Sequence, residues 1–213
     1  MFKILIRTAQ LSVLAVFFSC SRPSPVDKAG METYLNKSSH HLAQQSSRNG
    51  IDISLKYMPQ SMLVLQDLSK TQDPGHQALD TLQKKYASQY YFLLSFSKEG
   101  KEAIRQLGDY SLYSKMLQTL AFRMNEYVNI TTASNDTVQL SDYAFQQTYG
   151  LSDANSLLLA FPAEKIRTAS SFHVNIAECG FATGSERFEF KSRDIANIPE
   201  LDIQNIIRQQ VAK

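Results

Sequence analysis

The side chains able to do chemistry are few and poorly spaced for it. His173 and Cys179 come nearest to a base and a nucleophile. Six residues of extended strand put them about 20 Å apart, whereas a working pair needs hydrogen-bond reach of about 3 Å. The expectation is a structural thiol at Cys179. His40 and His41 are adjacent, and neighbouring side chains diverge by about 100 degrees on a helix, so they share no chelating face. A zinc site needs three or four converging ligands, and His76 is remote from the others in sequence. Glu178, Glu186 and Glu189 flank the last expected hairpin, where a facing carboxylate pair would suit acid–base work. Glu189 alternates with Phe188 and Phe190, which turns it to solvent instead. The eight glycines form no phosphate loop or dinucleotide fingerprint, and no Gly-x-Ser-x-Gly elbow occurs. No catalytic, cofactor-binding or metal site is assigned on these residues.

Ten tyrosines and twelve phenylalanines occur without tryptophan. Most fall where alternation or helical spacing assigns them to a core. Tyr110, Tyr113, Tyr143 and Tyr149 are the best placed for exposed contacts, because a phenol joins an apolar ring to a polar tip. Asn36, Asn129 and Asn135 open N-x-Ser/Thr triplets that mark surface positions only in a eukaryotic chain.

These groups must be positioned by elements that the spacing predicts. Met31, Tyr34, Leu35 and Leu42 give a thin helical stripe over 28–47. Ile51, Ile53, Leu55 and Tyr57 alternate with polar residues as a strand ended by Pro59. A short helix follows over 62–68, and Asp73-Pro74 supplies a cap for another helix through about Ser88. Tyr90 to Phe96 is apolar on both faces, the pattern of a central strand covered on two sides. Met116, Leu117, Leu120 and Met124 repeat at three and four, giving an amphipathic helix against the sheet. Strands are predicted over 126–131, 137–143, 156–161, 172–178 and 187–191. Asn135-Asp136 and the 180–185 stretch read as hairpin turns between the first two and the last two of these. Asp202 caps a final helix carrying Ile203, Ile206, Ile207 and Val211 on one face. The expected fold class is α+β, with a mostly antiparallel sheet, a helix-rich first half and a strand-rich second half. The alternative is a β-sandwich decorated with helices.

The N-terminus reads as an export signal: Lys3 and Arg7, then an apolar run from Leu11 to Phe18, then Ser19-Cys20. An apolar core of roughly 11 residues around this run covers only about 16 Å as a helix, too short to span a bilayer comfortably. Phe17-Phe18-Ser19-Cys20 resembles the lipobox of bacterial lipoproteins, and its bulky phenylalanines look like those tolerated in the Bacteroidota. That resemblance implies removal of residues 1–19 and acylation of Cys20 as the mature N-terminus. Asp80-Thr81-Leu82 and Asp136-Thr137-Val138 resemble the O-glycosylation motif of the same group, the second in an expected exposed turn.

Pro23 and Pro25 favour an extended tether over 20–27, before one α+β domain over 28–213. Without residues 1–19 the chain loses two basic residues and no acidic one, leaving 20 of each. Such a neutral domain lacks the electrostatic footprint of a nucleic-acid partner. With Cys20 acylated, Cys179 has no disulfide partner. Ser21-Arg22-Pro23 lacks the acidic run resembling a surface-export signal, which favours the periplasmic face of the outer membrane. The expected function is a non-enzymatic binding or assembly module of the cell envelope. It would contact the membrane through its lipid and an envelope protein as partner, with no cofactor. An envelope hydrolase or transferase is the alternative.

Overall fold

An Asn-Gly pair starts the first sheet. Asn49 and Gly50 both take positive φ, 53° and 76°, the two-residue turn whose twist suits a hairpin. It joins β1 (Ala43–Arg48) to β2 (Ile51–Met58), with Arg48 paired to Ile51. In the computed structural model, which describes residues 24–71 and 76–211, this hairpin replaces the second half of the helix predicted over 28–47. Helix α1 covers only Lys28–Asn36, capped by Asp27, whose carboxylate accepts the Gly30 N–H at 2.7 Å. His41 in the left-handed region then turns the chain. The polar β1, Ala-Gln-Gln-Ser-Ser-Arg, shows no apolar alternation because it is an edge strand. The export signal, Cys20 and the Asp73-Pro74 cap lie outside the described residues.

The fold is α+β, with two antiparallel sheets. The first runs β1-β2-β3-β8-β7, where β3 is Gln89–Lys98, β8 is Asn155–Pro162 and β7 is Asp142–Gln146; the short β4 (Lys101–Glu102) also pairs with β3. The second runs β10-β9-β5-β6, from Glu186–Lys191, Ser171–Ile176, Val128–Thr132 and Thr137–Gln139. The single strand expected over 137–143 is thus two strands in different sheets, divided at Leu140 and Ser141. The first half supplies four strands, more than expected, because β1 and β4 are short or polar and carry little periodic signal.

Apolar faces of the two sheets meet in one core, the arrangement that the sandwich alternative anticipates. Phe92 on β3 lies 5.0 Å from the Phe190 ring of β10 and 6.1 Å from Phe172 of β9, centroid to centroid. At one edge β1 reaches β10: Arg48 Nε donates to the buried Glu186 carboxylate at 2.9 Å, and Gln44 donates to the Glu189 carbonyl at 2.6 Å. The central β3 is covered on its second face at one end only. There Tyr91 packs with Leu63 of α2 (Gln60–Leu68) and Ala160. Farther along, Leu93 and Ser95 stay half-buried. Helix α4 (Tyr110–Phe122) buries Met116, Thr119 and Leu120 and lies beside β7, leaving Tyr110 and Phe122 at its ends in water. Two short helices not predicted, α5 (Ala163–Thr168) and α6 (Ser192–Ala196), directly follow β8 and β10. Helix α7 (Ile203–Val211) begins as predicted, with Asp202 accepting the Asn205 N–H. Among the described residues no helix is long and apolar enough to cross a membrane.

Helix α3 (His76–Tyr86) is pinned to α2 by Asp67. Its carboxylate accepts from Tyr86 Oη at 2.5 Å, from Lys85 Nζ at 2.9 Å and from Lys70 Nζ at 3.3 Å. The tyrosine hydroxyl first, then Lys85, hold its pKa down at about 2. A depressed carboxylate stabilises the fold above its unfolded pKa, near 4, and loses that contribution as pH falls through about 2. Asp67→Asn is expected to lower stability at pH 7 by about 1 kcal/mol, a value reduced by the partial exposure of the group. The difference from the parent should shrink towards pH 2, read from urea midpoints across that range.

Candidate functional site

The residues first considered for chemistry are dispersed by the fold. His173 points from the outer face of the second sheet, between Glu189 of β10 and Thr131 of β5. Burial and then Arg187 lower its pKa, against the pull of Glu189. Cys179 follows β9 on the core side, 6% exposed, with its thiol pushed up to about 12 mainly by burial. His40 Nδ1 donates to the Tyr34 carbonyl, 2.8 Å away, and its ring lies against Tyr34. His41 forms the turn before β1, and His76 opens α3.

The three glutamates also separate. Glu186 turns inward to Arg48 and Glu189 faces water. Glu178 organises its own loop by accepting the N–H groups of Gly180 (2.6 Å), Ala182 (2.9 Å) and Gly184 (2.6 Å). Burial opposes its charge, but these donors outweigh it and lower its pKa. Of the tyrosines expected at the surface, Tyr110 and Tyr149 are exposed and Tyr113 stacks on Tyr110. Tyr143 is committed inward, accepting the Met124 N–H. Thr81 and Thr137 are both exposed, so both glycosylation-like motifs reach solvent, one on a helix and one at the start of β6.

A different set converges. At the α2 end of β2 and β3, a cleft of about 500 Å³ opens between α2, α3, α5 and the segment 195–203. Tyr57 and Tyr90 line it. The two residues are 6% and 9% exposed and their rings meet edge-on at 5.8 Å; the Tyr90 hydroxyl lies against Arg167, and the Tyr57 hydroxyl has no side-chain partner among the described residues. Burial raises both phenol pKa values, with Arg167 pulling the other way on each. The hydroxyls therefore remain O–H donors at physiological pH. Arg167 on α5 lines the same cleft and donates to the Ala87 carbonyl at 2.9 Å. It has no carboxylate partner among the described residues.

The N-terminus of α2 contributes at the same place. Pro59 fixes its start, no side chain caps it and no acidic residue occupies its first turn. Its free N–H groups and dipole favour a negative group beside Gln60 and Ser61. Gln60 itself is held by the Gln89 and Ala87 carbonyls, at 2.9 and 3.4 Å. Ile195, Ile198, Leu201 and Ile203 form an apolar wall, and the exposed Glu200 is the one carboxylate in the described lining. The arrangement offers several donors to an oxyanion and an apolar surface beside them. No histidine or cysteine joins the described lining to serve as base or nucleophile.

No family model matches the chain, and no curated protein matches it. Among solved structures it is similar to a protein of unknown function from Burkholderia pseudomallei K96243, at 8% identity and a TM-score of 0.42, over 80% of this chain and 88% of that one.

Proposed function

We propose that this protein is a lipid-anchored, non-enzymatic binding module of the bacterial cell envelope, with the Tyr57–Tyr90–Arg167 cleft as its ligand site. The observation that carries the site is a pair of tyrosines, each more than nine-tenths buried, with the Tyr57 hydroxyl unpartnered and the Tyr90 hydroxyl against an arginine that has no carboxylate partner among the described residues. Donors that open into a cleft with spare hydrogen-bonding capacity are left for water or a ligand to satisfy. Donors of one polarity collected at a helix N-terminus select an oxyanion. A carboxylate or phosphate group, held and released unchanged, fits a lining that has donors and no base next to a nucleophile.

The anchor rests on the lipobox-like Phe17-Phe18-Ser19-Cys20, and the lack of an acidic run in Ser21-Arg22-Pro23 favours the periplasmic face of the outer membrane. Intact mass spectrometry on protein from native membranes should give cleavage before Cys20 plus acyl chains, lost in Cys20→Ala. An unlipidated mature mass would remove the anchor.

For the cleft, Arg167→Ala is expected to weaken binding of a small carboxylate by about tenfold to a hundredfold, the worth of a charge-assisted hydrogen bond. Tyr57→Phe should weaken it by about three- to tenfold, because one neutral donor is lost and the ring stays. Calorimetric titration of both variants reads this directly. Unchanged affinity in both would move the site elsewhere.

A further inference from the structure

We infer that the ligand is a single-chain amphiphile with an oxyanion head, taken from the membrane at which the domain is tethered; this rests on the anion-binding reading of the cleft. The cleft has two chemically distinct sides. The Tyr57 and Tyr90 hydroxyls, Arg167 and the start of α2 form the donor side. The segment between β10 and α7 forms the other, through Ile195, Ile198, Leu201 and Ile203. An inorganic ion would use the donors and leave this wall wet. A head group carrying an alkyl chain covers both, and about 500 Å³ lies within the range of sites for small organic ligands.

The chain path ties the apolar wall to the anchor. Val26 donates its N–H to the Glu200 carbonyl at 2.9 Å and accepts from Asp202 N at 2.9 Å, a parallel bridge centred on Leu201. The residue from which the polypeptide leaves towards Cys20 is therefore hydrogen-bonded to the wall of the cleft. Val26 and Asp27, expected within the tether, instead belong to the folded domain. Six peptide steps separate Val26 from Cys20, at most about 20 Å of extended chain. An acylated Cys20 holds the cleft that close to the bilayer surface, where single-chain amphiphiles concentrate and a domain on a long linker would sample them rarely.

The test uses the full lipoprotein in phosphatidylcholine nanodiscs, offered photoreactive diazirine probes: dodecanoate, butyrate, and a dodecyl chain with a trimethylammonium head. Inorganic phosphate serves as competitor. Dodecanoate should label the peptide spanning residues 195–203 saturably, and Arg167→Ala should reduce that labelling at least about tenfold. Affinity should rise about fourfold for each methylene that the wall buries, leaving butyrate at least about tenfold weaker. The cationic probe should not compete. If butyrate and phosphate bind as tightly as dodecanoate, the amphiphile inference falls and the anion site stands. Equal labelling by the cationic probe overturns the oxyanion head. No saturable labelling by any anion, with no displacement by phosphate, overturns the site itself.

Discussion

Replacing Phe92 by alanine is expected to lower the unfolding free energy by about 3–5 kcal/mol, the cost of truncating a fully enclosed aromatic ring. Phe92 is 0% exposed on the central strand of the first sheet. It lies edge-on to Tyr57 and Phe161 within its own sheet and to Phe172 and Phe190 across the core. Alanine would leave a cavity where the two sheets meet, bounded by strands that cannot collapse into it without breaking their ladders. Domains of this kind are stable by about 5–15 kcal/mol, so the loss removes a large share of the total. Chemical denaturation followed by circular dichroism measures it. A loss below about 1 kcal/mol would mean that the sheets do not share this core.

Gly180→Ala should cost about 2–4 kcal/mol, combining backbone strain with overpacking. Gly180 has φ of 125°, a conformation that side chains rarely tolerate, and a Cβ there would lie 2.3 Å from Met116 Sδ. Met116 is 2% exposed on α4 and has little room to retreat. The same substitution also loads the loop held by Glu178, which accepts the Gly180 N–H. Gly184→Ala is the control. Its φ of 72° is also unfavourable, but a Cβ there meets nothing within 4 Å, so about 1 kcal/mol is expected. Equal losses at the two positions would show that contact with α4 contributes nothing.

Much of the fold was legible because its signals are periodic. β9 and β10 alternate strictly between buried and open positions, and Asp202 announces α7 through a cap that forms. The strand β1 was hidden by its composition: an exposed edge needs no apolar face, so its polar residues extended the helical stripe of α1 instead. Asn49-Gly50 was the available signal, since a two-residue hairpin turn demands a partner strand on both sides. Pro162 similarly marked the end of β8 and the start of α5, a helix too short to show a stripe.

The site was less legible than the fold. Tyr57 and Tyr90 occupy core positions by alternation, and their rings are in the core. Periodicity says which way a ring points but not whether its hydroxyl reaches a cleft. Arg167 lies in that short helix, and the wall comes from residues more than a hundred positions from Tyr57. Only the packing of the chain's end against the first sheet brings them together. An arginine without a carboxylate partner among the described residues, beside buried phenols, becomes visible once hydrogen bonds are assigned, and not before.

The most direct test of the anion site is a titration of 15N-labelled protein with butyrate, followed by nuclear magnetic resonance. The account predicts saturable shifts of the Gln60 and Ser61 amides and of Arg167 Nε, all with one dissociation constant. Saturable shifts confined to the outer sheet face around Lys56 or His173, with the α2 start and Arg167 unmoved, would contradict it.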